Sequence, residues 1–328
     1  MKNWKKAIAV CASAAALVSM TACGGSNSSS SGSDSGKKTI GFVAVGPEGG
    51  FRTANENDLK KAFKAAGFNL VYSPTQSNDQ QKQIQAFNKF VNDEVDAIVL
   101  SATNDSGWDD CLENAAEAEI PVFTVDRNIS IKSAAAKKAV VSHIGPSNVW
   151  AGEQAAEFVN KNFPDGANGF ILEGPAGLSV VTDRGQGWKN KAASNIKVLE
   201  SQSANWSTDE AKTVTAGLLD KYKSDNPQFI FAQNDEMGLG AAQAVDAAGL
   251  KGKVKIITID GTKAALQSLV DGDLSYVIEY NPIFGEETAN AVKDYLNGKS
   301  VKKDIEIESK TFDAKSAKEA LDAGTRAY

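Results

Sequence analysis

Four polar residues directly follow apolar segments, and they form two pairs that lie about 130 residues apart in the sequence. In the first half of the chain, Asn104 follows the run VDAIVLSAT and Asp126 follows IPVFTV. In the second half, Asn234 follows PQFIFAQ and Asp260 follows VKIITI. Amides and carboxylates accept hydrogen bonds from hydroxyl groups, and amides also donate them. Because ligands bind outside the carboxyl ends of the strands in open α/β sheets, the repeat predicts a cleft with polar groups on both walls.

The elements that position these groups alternate between strands and helices along the chain. Alternation of this kind indicates parallel sheets covered by helices on both faces. We therefore expect an α/β fold of two doubly wound, Rossmann-like lobes joined by a hinge of several strands. Among the predicted strands are residues 39–45, 68–73, 97–100, 121–125 and 274–280, and among the predicted helices are residues 54–66, 78–92, 150–162, 208–223 and 286–296.

Each lobe is expected to contain separate parts of the sequence. The helix and strand that follow Pro282 most simply return to complete the first lobe, and the last residues then complete the second. The expected N-terminal lobe is residues 39–142 plus 282–308, and the expected C-terminal lobe is residues 143–281 plus 309–328.

The first 38 residues are expected to lie outside these lobes. Residues 1–22 combine three lysines with a short apolar run, which is typical of an export signal and too short to span a membrane. Small residues precede Cys23, as in the lipobox where bacteria attach diacylglycerol to a cysteine, with Met20 in place of the usual leucine. Residues 23–38 are rich in serine and glycine and would form a flexible tether. We expect an exported protein, lipid-anchored through Cys23 to the outer face of the bacterial cytoplasmic membrane.

Composition argues against several classes of function. The chain has a formal net charge of −6, and loss of a leader with three lysines and no acid would leave about −9, so nucleic acid is not an expected partner. The chain has one histidine, and processing would leave Cys111 as its one unmodified cysteine. GxGxxG, GxSxG, HExxH and Walker sequences do not occur. We expect a monomer with no cofactor, no metal site and no enzymatic activity.

Six motifs follow one another along the chain: VDAIVLSATN, EIPVFTVDR, VTDRGQG, FAQND, IITIDG and YVIEYNP. Their order and spacing resemble those of the ribose-type sugar-binding proteins of bacterial ABC importers, which have the type I periplasmic-binding fold. The first loop VGPEGGFRTAN, and Gly107-Trp108 after the third strand, are most similar to the galactofuranose- and fructose-binding members. The resemblance implies a solute-binding protein that captures a monosaccharide between its lobes and delivers it to a permease, with the permease and ATPase subunits on separate chains.

The resemblance also implies which side chains contact the sugar. The set supplies carboxylates that accept hydrogen bonds, guanidinium groups that donate in planar forks, and aromatic faces for the C–H surface of a sugar. Four acids against three arginines make the set nearly neutral, which suits an uncharged polyol better than a phosphate. The implied ligand-binding residues are Glu48, Phe51, Arg52, Asp126, Arg127, Arg184, Trp206, Asn234, Asp260 and Glu279, with Gln76 and Asn104 as further candidates near the cleft rim.

The expected ligand is a furanose or ketose, with fructose first, galactofuranose or ribose next, and xylose and glucose after them. Other classes of function remain open at this point. A sensory module would present the bound sugar to a membrane receptor, and its gene neighbourhood would encode a kinase or chemoreceptor in place of a permease. A repressor needs an amino-terminal helix-turn-helix, where this chain has a signal and a tether. A glycosidase would use two cleft carboxylates and release product from glycosides.

Overall fold

The computed structural model describes residues 36–76, 79–324, 326 and 328. Two six-stranded sheets form the framework of this part of the chain. The expected leader, Cys23 and most of the tether lie outside the described residues. The strands of the first sheet are β1 (Thr39–Ala44), β2 (Asn69–Pro74), β3 (Ala97–Leu100), β4 (Val122–Val125), β5 (Val140–Pro146) and β11 (Asp304–Ile307). This sheet is parallel, with the strand order β11-β5-β4-β3-β1-β2.

The strands of the second sheet are β6 (Ala167–Glu173), β7 (Ile196–Ser203), β8 (Pro227–Ala232), β9 (Lys255–Asp260), β10 (Tyr276–Glu279) and β12 (Thr311–Phe312). Their order, β12-β10-β9-β8-β6-β7, repeats the arrangement of the first sheet. The pairs are parallel except that β12 runs antiparallel to β10. The predicted α/β class with two doubly wound sheets is therefore confirmed.

Helices cover both faces of the first sheet. Successive residues of a strand point to opposite sides, so each strand buries apolar side chains on both faces. In β1, Phe42 packs with Leu59 of one helix layer, whereas Val43 packs with Phe90 of the other. The continuous apolar run of β1 is thus explained by burial on two faces. One layer contains α1 (Gly50–Ala65) and α10 (Gly285–Leu296), and the other contains α2 (Gln80–Asn92), α3 (Asp109–Glu117) and α4 (Ala136–Ala139).

The second sheet is covered in the same way. Ile230 of β8 packs with Met237 on one face, and its neighbours Phe229 and Phe231 stack on Trp188 on the other, each with a ring-centroid distance of 5.4 Å. One layer contains α5 (Asn148–Asn162) and α6 (Ser179–Lys191). The other contains α7 (Thr208–Lys221), α8 (Asp235–Ala247), α9 (Lys263–Val270) and α11 (Ala314–Asp322), and a 3₁₀ turn spans Lys223–Asp225.

The chain passes between the two sheets three times within the described residues: after β5, after β10, and between β11 and β12. The expected lobe boundary between residues 142 and 143 lies inside β5, which pairs along its length with β4 and β11 of the first sheet. The division into lobes stays a prediction, and sheet membership favours a first crossing after Pro146. No helix among the described residues has the length and apolar character needed to cross a bilayer.

Candidate functional site

A cavity lies where the carboxyl ends of strands from both sheets face one another. Its empty volume is about 430 Å³, including the part open to solvent. The first wall comes from the loop after β1, the start of α1 and the end of β4, and the second from α6, the loop before α7, and the ends of β8 and β9. The lining residues are Glu48, Gly49, Gly50, Phe51, Arg52, Asp126, Arg127, Val180, Arg184, Trp206, Asn234, Glu236, Asp260 and Tyr280.

An ion pair between Arg52 and Asp126 anchors the first wall. Arg52 lies on the first turn of α1, and Asp126 follows β4 with a left-handed backbone (φ 67°). The guanidinium donates to the Asp126 carboxylate and, through Nη1, to Ser101 Oγ at 2.9 Å. Burial alone would raise the pKa of Asp126, but Arg52 and Arg127 hold that pKa below its usual value. The carboxylate is therefore ionised at neutral pH and can accept hydrogen bonds from a ligand.

Glu48 lies between two guanidinium groups on the same wall. Its carboxylate accepts a hydrogen bond from Arg127 Nη2 and lies 3.7 Å from Arg52 Nη2. Arg127 Nη1 donates to the backbone carbonyl of Thr103 at 3.1 Å, and this bond fixes the orientation of the guanidinium group. The wall thus presents two carboxylates and two arginines in positions fixed by their mutual hydrogen bonds.

Arg184 organises the second wall. Although it lies on the second turn of α6, its side chain is buried, and its Nε donates to Asn148 Oδ1 at 2.9 Å. Its Nη1 donates to the backbone carbonyl of Gln233, while Nη2 lies 3.9 Å from Asp260 Oδ1. The guanidinium carbon also lies 4.9 Å from the centre of the Tyr280 ring. One planar group therefore connects α5, β8, β9 and the strand crossing at Tyr280.

Asp260 is held in a costly conformation next to a second buried acid. Its φ of 133° lies in the region that favours glycine, at a cost of order 1–3 kcal/mol for other residues. Burial raises the pKa of Asp260, Arg184 lowers it, and the nearby Asp235 raises it. Burial also raises the pKa of Asp235 to about 7. The two carboxyls therefore hold a proton more readily than exposed aspartates do.

Aromatic faces contribute to both walls. Trp206 has a left-handed backbone (φ 61°), and its indole lies directly over Gly174, where an added Cβ would come within 2.0 Å of Trp206 Cζ2. On the opposite wall, the Phe51 ring packs against Tyr280 with centroids 5.0 Å apart. Flat apolar surfaces of this kind suit the C–H face of a sugar.

Polar contacts join the two walls across the cleft. The Gly50 amide donates to Glu236 Oε1 at 3.3 Å, and Ser179 Oγ donates to the Asn128 carbonyl at 3.2 Å. Since Gly50 and Asn128 belong to the part of the chain that forms the first sheet, and Ser179 and Glu236 to the part that forms the second, the structure represents an arrangement with the walls brought together.

Three of the residues predicted from the sequence do not line the cavity. Glu279 is paired with Arg326, and its Oε2 accepts from the Lys310 amide at 3.2 Å. Asn104 is exposed and donates to Gln80 Oε1 at 3.0 Å. Gln76 is also exposed. No group of three or more His, Cys, Asp or Glu among the described residues is arranged to hold a metal ion.

The structure also places in the lining five residues that the sequence did not predict, which are Gly49, Gly50, Val180, Glu236 and Tyr280. Tyr280 directly follows Glu279, and successive positions of an extended chain face opposite sides, so the choice between them was a matter of register. Glu236 closely follows Asn234 and accepts from its Nδ2 at 2.7 Å. An acid two residues beyond a predicted site residue is the signal that could have identified Glu236.

Most of the chain is similar to known binding proteins. The family model described as "periplasmic binding protein domain" matches residues 40–300. The chain is 86% identical to the fructose import binding protein of Bifidobacterium longum, over 328 residues and 100% of both chains. It is 30% identical to the galactofuranose-binding protein of Escherichia coli, covering 97% of this chain and 98% of that one.

A solved structure is similar in both fold and sequence. This is a crystal structure from Mycobacterium smegmatis in complex with β-D-fucofuranose, which superposes with a TM-score of 0.81 at 32% identity. The match covers 88% of this chain and 95% of that one.

Proposed function

The chain belongs to the periplasmic binding protein domain family, and on that premise we propose that it captures a monosaccharide in the cavity and delivers it to the permease of an ABC importer. The family and the matched relatives are binding proteins, not enzymes. The permease and ATPase subunits of the importer would be separate chains.

The chemistry of the cavity lining is the observation that carries this proposal. Its four acids accept hydrogen bonds from hydroxyl groups, its three arginines donate to them, and Phe51 and Trp206 offer apolar faces from opposite walls. The number of acids in the lining stays at four against three arginines, because Glu236 is present although the expected Glu279 is not. A nearly neutral lining favours an uncharged polyol over a phosphorylated one.

Fructose is the ligand that we propose first. It is a ketose that can close to a furanose ring. The B. longum relative is named for fructose import, and the names of the other two matches refer to galactofuranose and fucofuranose. We propose that the sugar contacts Glu48, Phe51, Arg52, Asp126, Arg127, Arg184, Trp206, Asn234, Asp260 and the added residues Glu236 and Tyr280.

Binding would act through closure of the two walls, which we propose belong to the two expected lobes. A sugar that bridges both walls has a higher affinity for the closed form, so it shifts the population towards that form. The permease would then recognise the closed arrangement. We propose that the protein acts as a monomer in this cycle.

Export and membrane attachment form a separate part of the proposal. Residues 1–22 would direct export, and Cys23 would carry the lipid anchor at the end of the Ser/Gly tether. Two acyl chains would hold the protein at the membrane stably where one would not. A Cys23→Ser variant is expected to leave the membrane fraction, and its retention there would contradict this part.

A thermal-shift panel of uncharged sugars tests the proposed function. A ligand at a hundred times its Kd adds about 2.7 kcal/mol of stability, or about 5 °C for a chain of this size. We expect fructose to give the largest shift, ahead of ribose, xylose and glucose. Fructose 6-phosphate is the matched control, because the lining has no excess of arginine for a phosphate. A protein that responds to none of the uncharged sugars, or more strongly to the phosphate, contradicts the proposal.

A further inference from the structure

The turn that carries Asp260 is strained at two successive residues. Asp260 has φ 133° and Gly261 has φ 86°. The backbone of Asp260 persists in this region only if surrounding groups hold it there. Because its side chain lines the cavity, whatever holds this backbone also sets the direction of the carboxylate.

The Asp235 carboxylate provides the first support for this turn. Asp235, at the start of α8, accepts hydrogen bonds from the Gly261 amide at 2.9 Å and the Thr262 amide at 2.7 Å. These two bonds fix the amide side of the turn. On its carbonyl side, the Tyr280 amide donates to the Asp260 carbonyl at 3.0 Å, and further donors come from elsewhere in the chain.

The tail residues Arg326 and Tyr328 supply those donors. The Arg326 guanidinium donates to the Gly261 carbonyl and pairs with Glu279. The Tyr328 hydroxyl donates to the Asp260 carbonyl and also lies 3.2 Å from the Tyr280 carbonyl. Neither tail residue lines the cavity, but both of the carbonyls that Tyr328 reaches belong to residues that do.

Tyr328 is itself fixed on three sides. Its carbonyl accepts from the Lys263 amide at 2.8 Å, and its ring lies 5.3 Å from the Arg326 guanidinium carbon. The ring also borders the first wall, since a Cβ added to Gly50 would lie 3.6 Å from Tyr328 Cδ2. Burial raises the pKa of the Tyr328 phenol, so the hydroxyl keeps the proton that it donates.

We propose that Tyr328 and Arg326 are positioning residues of the sugar site. They do not touch the sugar, and they set the backbone from which Asp260 and Tyr280 present their side chains. This inference rests on the proposed function and extends it to residues outside the cavity. It also gives Glu279 a role, because that carboxylate orients Arg326.

Tyr328→Phe is the sharpest test, because it removes the hydroxyl and keeps the ring. We expect calorimetric titration with fructose to show a dissociation constant about tenfold higher than that of the parent, the effect of one or two lost hydrogen bonds. We expect the melting temperature of the sugar-free protein to change little. Tyr222→Phe is the matched control, since that half-buried hydroxyl bonds Glu200 away from the cavity.

A readout that needs no sugar separates this inference from the proposed function. The carboxyl ¹³C resonance of Asp260, assigned with Asp260→Asn, is expected to move in Tyr328→Phe and to stay unchanged in Tyr222→Phe. If no sugar binds the parent, the proposed function fails and the resonance alone decides whether the tail positions Asp260. If the parent binds sugar, an unchanged dissociation constant in Tyr328→Phe overturns the inference, whatever the resonance does.

Discussion

Asp126→Ala is expected to weaken fructose binding by a hundredfold to a thousandfold, on the order of 3–4 kcal/mol. The ionised carboxylate would accept hydrogen bonds from the sugar, and it holds the Arg52 fork in place. Both interactions are lost together in the alanine variant. Isothermal titration calorimetry with fructose measures the change.

The same variant is expected to lose stability without any sugar. Arg52 and Asp126 are each 3% exposed, and removal of one partner of a buried pair typically costs about 3–5 kcal/mol. We expect a smaller loss of about 1–3 kcal/mol, because Ser101 Oγ still accepts from Arg52 and separation of the walls would admit water. Denaturant unfolding of the sugar-free protein measures it.

Two companion variants sharpen the Asp126 test. Asp126→Asn keeps one acceptor oxygen and is expected to fall between the parent and Asp126→Ala in affinity. Asp110→Ala removes an exposed acid on α3 and should bind fructose like the parent. If Asp126→Ala also binds like the parent, the first wall is not part of the site.

Arg184→Lys is expected to weaken binding by about a hundredfold, although the positive charge is retained. The guanidinium donates to Asn148 and the Gln233 carbonyl at once, while also facing Asp260. A lysine ammonium is a single point charge on a flexible stem and cannot reproduce that planar fork. Calorimetric titration with fructose checks the loss.

The matched control for Arg184→Lys lies on the same helix. Lys189 is exposed on α6, so Lys189→Ala should leave both affinity and stability close to those of the parent. Equal fructose affinity in Arg184→Lys and the parent would mean that charge alone, and not the fork, is what the site requires.

The fold could be predicted because its signals are local. Strands buried on both faces read as continuous apolar runs, as in AIVL of β3, and the helices between them enforce parallel pairing. The lobe boundary is less local, since β5 continues through His143 to pair with β11, more than 150 residues away. No pattern within the strand itself shows which sheet it joins.

Much of the site could also be located from strand ends. Asp126 and Asp260 stand at those positions, and the structure places both in the cavity lining. Glu236 was missed because one of its partners is the Gly50 amide, a contact between residues 186 apart that exists only when the walls meet. Tyr280 lines the cavity where Glu279 was expected, which shows that one residue of register decides which side chain faces a cleft.

The backbone conformations of the site were out of reach of sequence reasoning. Asp126, Trp206 and Asp260 all have positive φ, which is uncommon for residues other than glycine. Tertiary contacts hold such conformations, as the tail residues do for Asp260. The sequence pattern does not reveal those contacts. The tail residues Arg326 and Tyr328 could therefore not be connected to the site before the fold was known.

A crystal structure of the protein with fructose tests the central claim most directly, which is that one uncharged sugar is held between the two walls by acids, arginines and aromatic faces. We predict a single fructose in the cavity, with its hydroxyl groups bonded to Asp126 and Arg184 and its C–H face against Trp206. Fructose bound elsewhere on the surface, or a cavity without sugar at saturating fructose, would contradict the account.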